Sequence, residues 1–234
     1  MSFPRRRFSR IVSNGPGIQD ITNENIVLIV IECHHLVMKY LVGIDEVGRG
    51  PIAGSVAVGA FVFLDNKAGR LFRGVKESKQ LSEEQREKWF AVIEKVKKEG
   101  FVDFCVTFQS EKIIDIKGLS WAIKKALSTS LDKVTKSNKI KPSETRALLD
   151  GGLKAPIEFT DQKTIIKGDE KETVIALASI CAKVLRDRKM VKLGKKYPQY
   201  GFGEHKGYGT RKHYGAIKKH GMLKEHRKSF LKRF

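Results

Sequence analysis

Tyr40-Leu-Val-Gly-Ile-Asp-Glu-Val-Gly-Arg-Gly-Pro-Ile-Ala-Gly54 decides the fold, because an apolar strand runs there into two adjacent carboxylates and then into a glycine-punctuated turn. Tyr40, Leu41, Val42 and Ile44 favour a buried strand, while Gly48, Gly50 and Gly54 let backbone approach whatever sits at its end. Asp45 and Glu46 therefore stand at a strand-to-loop edge. Two neighbouring anions with only Arg49 beside them repel, so the pair needs open solvent or a shared cation. The apolar run leading into it favours a divalent metal over a solvated acidic turn. Adjacent residues on a regular strand point to opposite faces, which predicts a bend or bulge at this point, with Gly48 making it possible, if both acids serve one centre.

Working outward, residues 55–64 predict a second strand, antiparallel to the first. Ser82, with Glu84 and Gln85 close behind, predicts a helix N-cap, the helix running to about Lys98. Phe101 to Phe108 reads as a third strand. Apolar or small residues at Ala122, Ile123, Ala126, Leu127, Leu131 and Val134 form a helical stripe suited to packing on a sheet. Arg146 to Asp150 repeats the first design, an apolar strand ending in a carboxylate and glycines. Gln162 to Lys167 is a short strand closing on Gly168-Asp169. A helix follows from Thr173 to about Leu193, with Ala176, Ala178, Ser179 and Ala182 allowing close approach, and Asp187 is expected to pair with Lys183, Arg186 or Arg188. Tyr200 to Thr210 mixes aromatics, glycines and cations, which suits either a nucleic-acid contact loop or a plain glycine-rich surface. Thr210 to His220 predicts a final helix. The fold class is α/β: a mixed sheet flanked by helices, with a helical basic C-terminal region.

A chain of 234 residues with 41% hydrophobic side chains can bury an ordinary core, in one large domain or one plus an appendage. Its net charge is +20, and residues 183–234 hold seventeen Lys or Arg against three acids, a phosphate-binding surface for which nucleic acid is the commonest partner. A membrane surface fits less well, since the cations are interleaved with Gly, Tyr and His. The apolar run Ile26 to Ile31 is too short to span a bilayer. Cys33, Cys105 and Cys181 lie far apart, indicating neither a disulfide framework nor structural zinc and suiting a reducing cytoplasm. Residues 1–39 show no sustained period and are expected to be a disordered or dispensable extension. The catalytic domain is expected over residues 40–220, with a basic substrate-binding region from about residue 195, followed by a solvated basic tail over 221–234.

Asp45-Glu46, Asp150 and Asp169 are strand-end acids from distant parts of the chain, as expected when a sheet gathers ligands. Oxygen-only donors favour Mg²⁺ or Mn²⁺, and beside a basic surface they suit phosphodiester hydrolysis with two metals roughly 3.5–4 Å apart. Acids before glycines are also ordinary turn formers, and spacing alone leaves both readings open.

Gly43-Ile-Asp-Glu-Val-Gly-Arg-Gly-Pro-Ile-Ala-Gly54 resembles the signature of the ribonuclease HII family. The similarity continues through Lys76-Glu-Ser-Lys-Gln-Leu81, Leu149-Asp-Gly151, Lys167-Gly-Asp169, Ala178 to Asp187 and His205-Lys-Gly-Tyr-Gly-Thr210. Val47 and Ser55 stand where Ala and Pro are usual, and Glu77 where Asp is common. The resemblance implies a ribonuclease H-like fold whose catalytic and metal-holding carboxylates are Asp45, Glu46, Asp150 and Asp169. It implies that the turn Gly48-Arg49-Gly50 reads a ribose 2′-hydroxyl through backbone groups, that Tyr208 packs on the sugar of the neighbouring deoxynucleotide, and that Lys76, Lys79, Ser179 and Lys183 contact phosphate. The implied reaction incises 5′ of a ribonucleotide, in an RNA:DNA hybrid or embedded in duplex DNA, leaving 3′-hydroxyl and 5′-phosphate ends. Arg49 argues against the sister enzyme ribonuclease HIII, which carries a Gly-Lys-Gly turn. Retention of four carboxylates argues against a non-catalytic hybrid binder. A monomer is expected, and Phe230, Leu231 and Phe234 form an apolar pattern that could dock on a sliding clamp.

Overall fold

The computed structural model describes residues 40–65, 67–75 and 78–232. The expectations for residues 1–39, for Lys76 and for Phe234 lie outside the described residues.

Five strands form one sheet: β1 (Tyr40–Val47), β2 (Val56–Phe63), β3 (Val102–Gln109), β4 (Thr145–Asp150) and β5 (Asp161–Ile165), in the order β3-β2-β1-β4-β5. β1, β2 and β3 pair antiparallel, whereas β4 and β5 join β1 in parallel. The short turn after Val47 permits the hairpin, and the parallel pairing of β4 with β1 requires the long crossover that helices supply. These are α1 (Glu83–Lys98), α2 (Glu111–Lys117), α3 (Leu119–Ser137), α4 (Gly168–Lys171), α5 (Thr173–Lys196), α6 (Phe202–His205) and α7 (Arg211–His220).

Each long helix forms where the periodicity places it. The Ser82 hydroxyl accepts the Gln85 N–H at 3.1 Å while the Gln85 side chain accepts the Ser82 N–H at 2.8 Å, a reciprocal cap that starts α1. The stripe of α3, from Ala122 to Val134, packs on one face of the sheet against Val42, Ile44, Val58 and Leu149. The opposite face is covered by α1 and α5, through Phe90, Ile93, Ile175, Ala178 and Ile180. β2 is buried along its whole length, as a strand covered on both faces must be. At Gly43 a Cβ would overlap the Val174 main chain, so α5 lies directly on β1. That close approach brings Ser179 to the Asp45 side of the strand.

A third cluster joins Ile52, Met190, Tyr200, Phe202, Ile217 and Leu231. It changes two expectations. Tyr200 and Phe202 are core residues, their rings stacked with centroids 5.5 Å apart, so within the glycine-rich run they fill space beneath α7 and do not face a ligand. The tail is not solvated throughout, because His226, Arg227 and Leu231 are buried. Its basic composition concealed this, since Arg227 is satisfied by main-chain carbonyls and needs no water. Among the described residues no helix is long and apolar enough to cross a membrane.

Candidate active site

The end of β1 carries the site. β1 and β4 pair in parallel as far as Ile44 and Leu149, so one further step of the same register sets Asp45 beside Asp150, both on the α5 face. Glu46 follows on the other face by the alternation of the strand. Of the bend or bulge expected here the bulge is absent: β1 and β2 pair residue for residue from Leu41↔Phe63 to Val47↔Ala57. The two acids instead share a cavity because pairing with β4 has stopped and leaves that edge open.

This cavity, of about 230 Å³, is lined by Asp45, Glu46, Asp150, the Gly48-Arg49-Gly50 turn, Ser78, Lys79, Ser179, Lys183 and Tyr208. Ten of the twelve expected site residues thus meet in one place. Asp169 does not line the cavity; it lies buried at the start of α4, 3.4 Å from the Lys79 ammonium. Gly168, beside it, donates its N–H to Asp150 Oδ1 at 2.7 Å. Among the described residues no three acids, histidines or cysteines converge into a ready-made metal cage.

The electrostatics nevertheless ask for a cation. Burial pushes the Asp45 carboxyl up to about 8, opposed by a hydrogen bond from Ser179 and reinforced by the charges of Glu46, Asp150 and Asp169. Burial also raises Glu46, although its Oε1 meets Arg49 at 2.7 Å. The other Glu46 oxygen, Oε2, is buried with no hydrogen-bond partner among the described residues. A crowded set of carboxylate oxygens, one orphaned and one held protonated, fits a hard divalent ion.

The surrounding polar groups divide into holders and exposed contacts. Ser179 Oγ sits 2.8 Å from Ser78 Oγ and bonds Asp45, so this hydroxyl pair holds the acid in place from below. Lys183 is engaged by Asp187 at 2.9 Å, one of the three pairings expected for that acid. Arg86 donates to the carbonyls of Ser78 and Leu81, fixing the loop that carries Lys79. Tyr208 is 44% exposed, with its ring edge 3.7 Å from where a Gly50 Cβ would stand. Gly48 adopts φ +93°, and a side chain there would run into Arg186. Among the described residues neither the Arg49 nor the Gly50 N–H has a backbone hydrogen-bond partner, and both residues line the cavity.

The ribonuclease HII family model matches residues 42–234. The chain belongs to the ribonuclease HII family. It is 45% identical over 196 residues to ribonuclease HII of Ruminiclostridium cellulolyticum, covering 84% of this chain and 71% of that protein. The crystal structure of the ribonuclease H2 from Pyrococcus horikoshii OT3 superposes with a TM-score of 0.59 at 28% identity, covering 81% of this chain and 93% of that one. The structure of the PCNA:RNase HII complex from Archaeoglobus fulgidus gives a TM-score of 0.63 at 24% identity, over 82% and 94% of the two chains, a likeness of fold. Membership makes the chain an endoribonuclease, a hydrolase acting on the RNA strand of RNA:DNA hybrids, built on the ribonuclease H-like fold.

Sequence reasoning missed Ser78, Arg186, His213, His226 and Arg227. Ser78 lies inside the quoted Lys76–Leu81 block and was legible there. Arg186 likewise lies inside the quoted Ala178 to Asp187 block, whereas His213, His226 and Arg227 carry no periodic signal that separates a buried basic residue from the surface ones around it.

Proposed function

We propose that the chain incises immediately 5′ of a ribonucleotide, in hybrids and at single ribonucleotides embedded in duplex DNA, with Asp45, Glu46, Asp150 and Asp169 holding divalent cations. The observation that carries this reading is the shared cavity, lined by Asp45, Glu46 and Asp150 together with the Gly48-Arg49-Gly50 turn and the exposed Tyr208. Held by these carboxylates, Mg²⁺ or Mn²⁺ would supply Lewis acidity for activating water and stabilising developing negative charge. Water adds to phosphorus and the P–O3′ bond breaks, so the products carry 3′-hydroxyl and 5′-phosphate ends.

The chain's own groups account for selection. The 2′-hydroxyl both donates and accepts, and the open Arg49 and Gly50 amides are donors placed for it. Tyr208, beside Gly50, offers a ring face to the next sugar. Lys79 and Lys183, with Lys76, give positive potential along the scissile strand, and Ser179 serves the site by anchoring Asp45. Residues 40–220 would form the catalytic unit, acting as a monomer in the cytoplasm. A sliding clamp remains a proposed partner, supported by the archaeal complex; Leu231 is packed in the core, so among the described residues of the expected apolar pattern the exposed Phe230 would carry that contact.

The test is a duplex with one ribonucleotide, incubated with Mg²⁺ or Mn²⁺ and wild-type protein or Asp150→Asn, with both product ends mapped. Single incision 5′ of the ribonucleotide by wild type alone is expected. No incision in either metal, with tight hybrid binding retained, would replace the enzyme by a binder.

A further inference from the structure

Among the described residues Arg227 and Arg186 are the two largest side chains buried completely, at 0% exposure each. A buried cation is strongly unfavourable unless paired or fully hydrogen-bonded. Among the described residues Arg227 forms no salt bridge, and the one carboxylate near Arg186, that of Asp187, stands 3.9 Å away. Main-chain carbonyls take their place. Arg227 donates from Nε to Gly54 O at 2.9 Å, from Nη1 to Arg49 O at 2.9 Å and from Nη2 to Gly48 O at 2.7 Å. Its own N–H donates to Ile52 O at 2.8 Å, and the Gly54 N–H donates to Glu225 O at 2.8 Å. Arg186 adds bonds to Ser55 O at 3.0 Å and Lys206 O at 3.1 Å. Arg227 therefore grips the carbonyls of Gly48, Arg49 and Gly54, and Arg186 that of Ser55, so carbonyls along residues 48–55 are held by two buried guanidiniums, while the Arg49 and Gly50 amides take no part in these bonds.

The residue before Arg227 reaches Tyr208 by a chain of rings. His213 Nδ1 lies 2.8 Å from Tyr208 O, and since a carbonyl can only accept, Nδ1 carries the proton. In a neutral ring Nε2 is then bare and accepts from His226 Nε2, 3.1 Å away. That places the His226 proton on Nε2 and leaves its Nδ1 to accept the Leu223 N–H at 2.8 Å. One tautomer of each ring satisfies all three bonds. Burial supports the neutral forms, lowering both histidines.

We propose that His226-Arg227 is a positioning element for ribonucleotide recognition: Arg227 sets the Gly48-Arg49-Gly50 turn, and His226, acting through His213, sets Tyr208. Two contacts to adjacent sugars, from distant parts of the chain, are thereby held at one spacing by a single tail segment. Neither residue touches the substrate. The inference rests on the proposed reading of that turn and of Tyr208.

The test compares affinities of the metal-free protein for a duplex bearing one ribonucleotide and for the all-DNA duplex of the same sequence, by fluorescence anisotropy. The variants are Arg227→Lys, which keeps the charge but not the three-way fork, His213→Leu, and His213→Asn, whose amide can replace the Nδ1–H. Thermal melts establish that each is folded at the assay temperature. The expected result is a preference for the ribonucleotide reduced roughly tenfold or more in Arg227→Lys and His213→Leu, as for a lost buried hydrogen bond. All-DNA affinity stays within about twofold of wild type, because phosphate contacts are untouched, and His213→Asn recovers most of the preference. Should Arg227→Lys not fold, the two His213 variants decide. Folded variants that discriminate like wild type overturn the inference, as does an equal loss on both duplexes, which marks a role in folding alone. A wild-type protein with no preference overturns the reading of the turn and Tyr208, and this inference with it.

Discussion

Asp150 Oδ1 accepts the Gly168 N–H at 2.7 Å, so the acid that ends β4 also holds the start of the short helix carrying Asp169. Two of the four site acids are thus joined through one main-chain bond. Asp150→Asn keeps the oxygen that receives this N–H and removes the charge. Its melting temperature is expected to stay near that of wild type, while incision falls by about 10²- to 10³-fold or more. Asp150→Ala leaves the Gly168 N–H without its acceptor and is expected to be less stable by a further ~1–3 kcal/mol. Equal stability of the two variants would show that the bond does not tie the acids together.

Asp45 makes the metal-free protein sensitive to alkali. Its carboxyl is raised from 3.8 to about 8, chiefly by burial. Between those values the folded state keeps a proton that the unfolded chain has released, so stability falls as pH rises and levels off above about 8. Melting midpoints in chelator are expected to drop from pH 6.5 to 8, and Asp45→Asn is expected to flatten that drop. Excess Mg²⁺ or Mn²⁺ displaces the proton, so metal affinity should rise over the same interval by up to about tenfold per pH unit. A chelator curve with no slope there would contradict the burial of a protonated Asp45.

The strands, the long helices and the positions of the three acids of the cavity were legible in the sequence, because an apolar run that gives way to acids and glycines marks the end of β1 and of β4. Asp45, Glu46 and Asp150 needed no more than that. Asp169 was found as a strand-end acid, yet it lies at the head of α4 and outside the cavity, since β5 stops at Ile165. The expected bulge at Glu46 failed for a different reason: alternation along β1 was read correctly, but the early end of β4 pairing, which opens the edge, is a property of register between strands. The tail was misread because Arg227 and His226 look like any basic surface residues. Their burial depends on carbonyls supplied by a turn far away in sequence, and no local pattern records that.

Gly48 should not tolerate a side chain. Its φ of +93° disfavours any L-residue, and a Cβ would meet the Arg186 guanidinium, itself buried and bonded to Ser55 O. Gly48→Ala is expected to lower stability by about 1–3 kcal/mol for the backbone strain alone. Activity should fall further than stability, because relief of the overlap moves the Arg49 and Gly50 amides. A folded Gly48→Ala protein with wild-type incision would show that the turn's inner packing does not govern its outer face.

Acid should act through the buried histidines. His213 is held down to about 4, mainly by burial, and His226 is also lowered from the ordinary 6.5. Between about 6.5 and 4 the unfolded chain takes up protons that the folded state refuses, so stability is lost as pH falls through that window, by up to about 1.4 kcal/mol per pH unit per histidine. Asp45 opposes this in the metal-free protein, since its proton uptake on acidification favours the folded state, and the two slopes partly cancel. Glu46, also raised by burial, opposes it in the same sense, and the double variant Asp45→Asn, Glu46→Gln removes both opposing groups. Its melting midpoint is therefore expected to fall between pH 6.5 and 5, where carboxylates of ordinary pKa stay charged, and to do so more steeply than that of metal-free wild type. A midpoint that holds constant across that interval would mean that the His213–His226 pair takes up protons without opening the fold, and the neutral ring-to-ring bond would have to be abandoned.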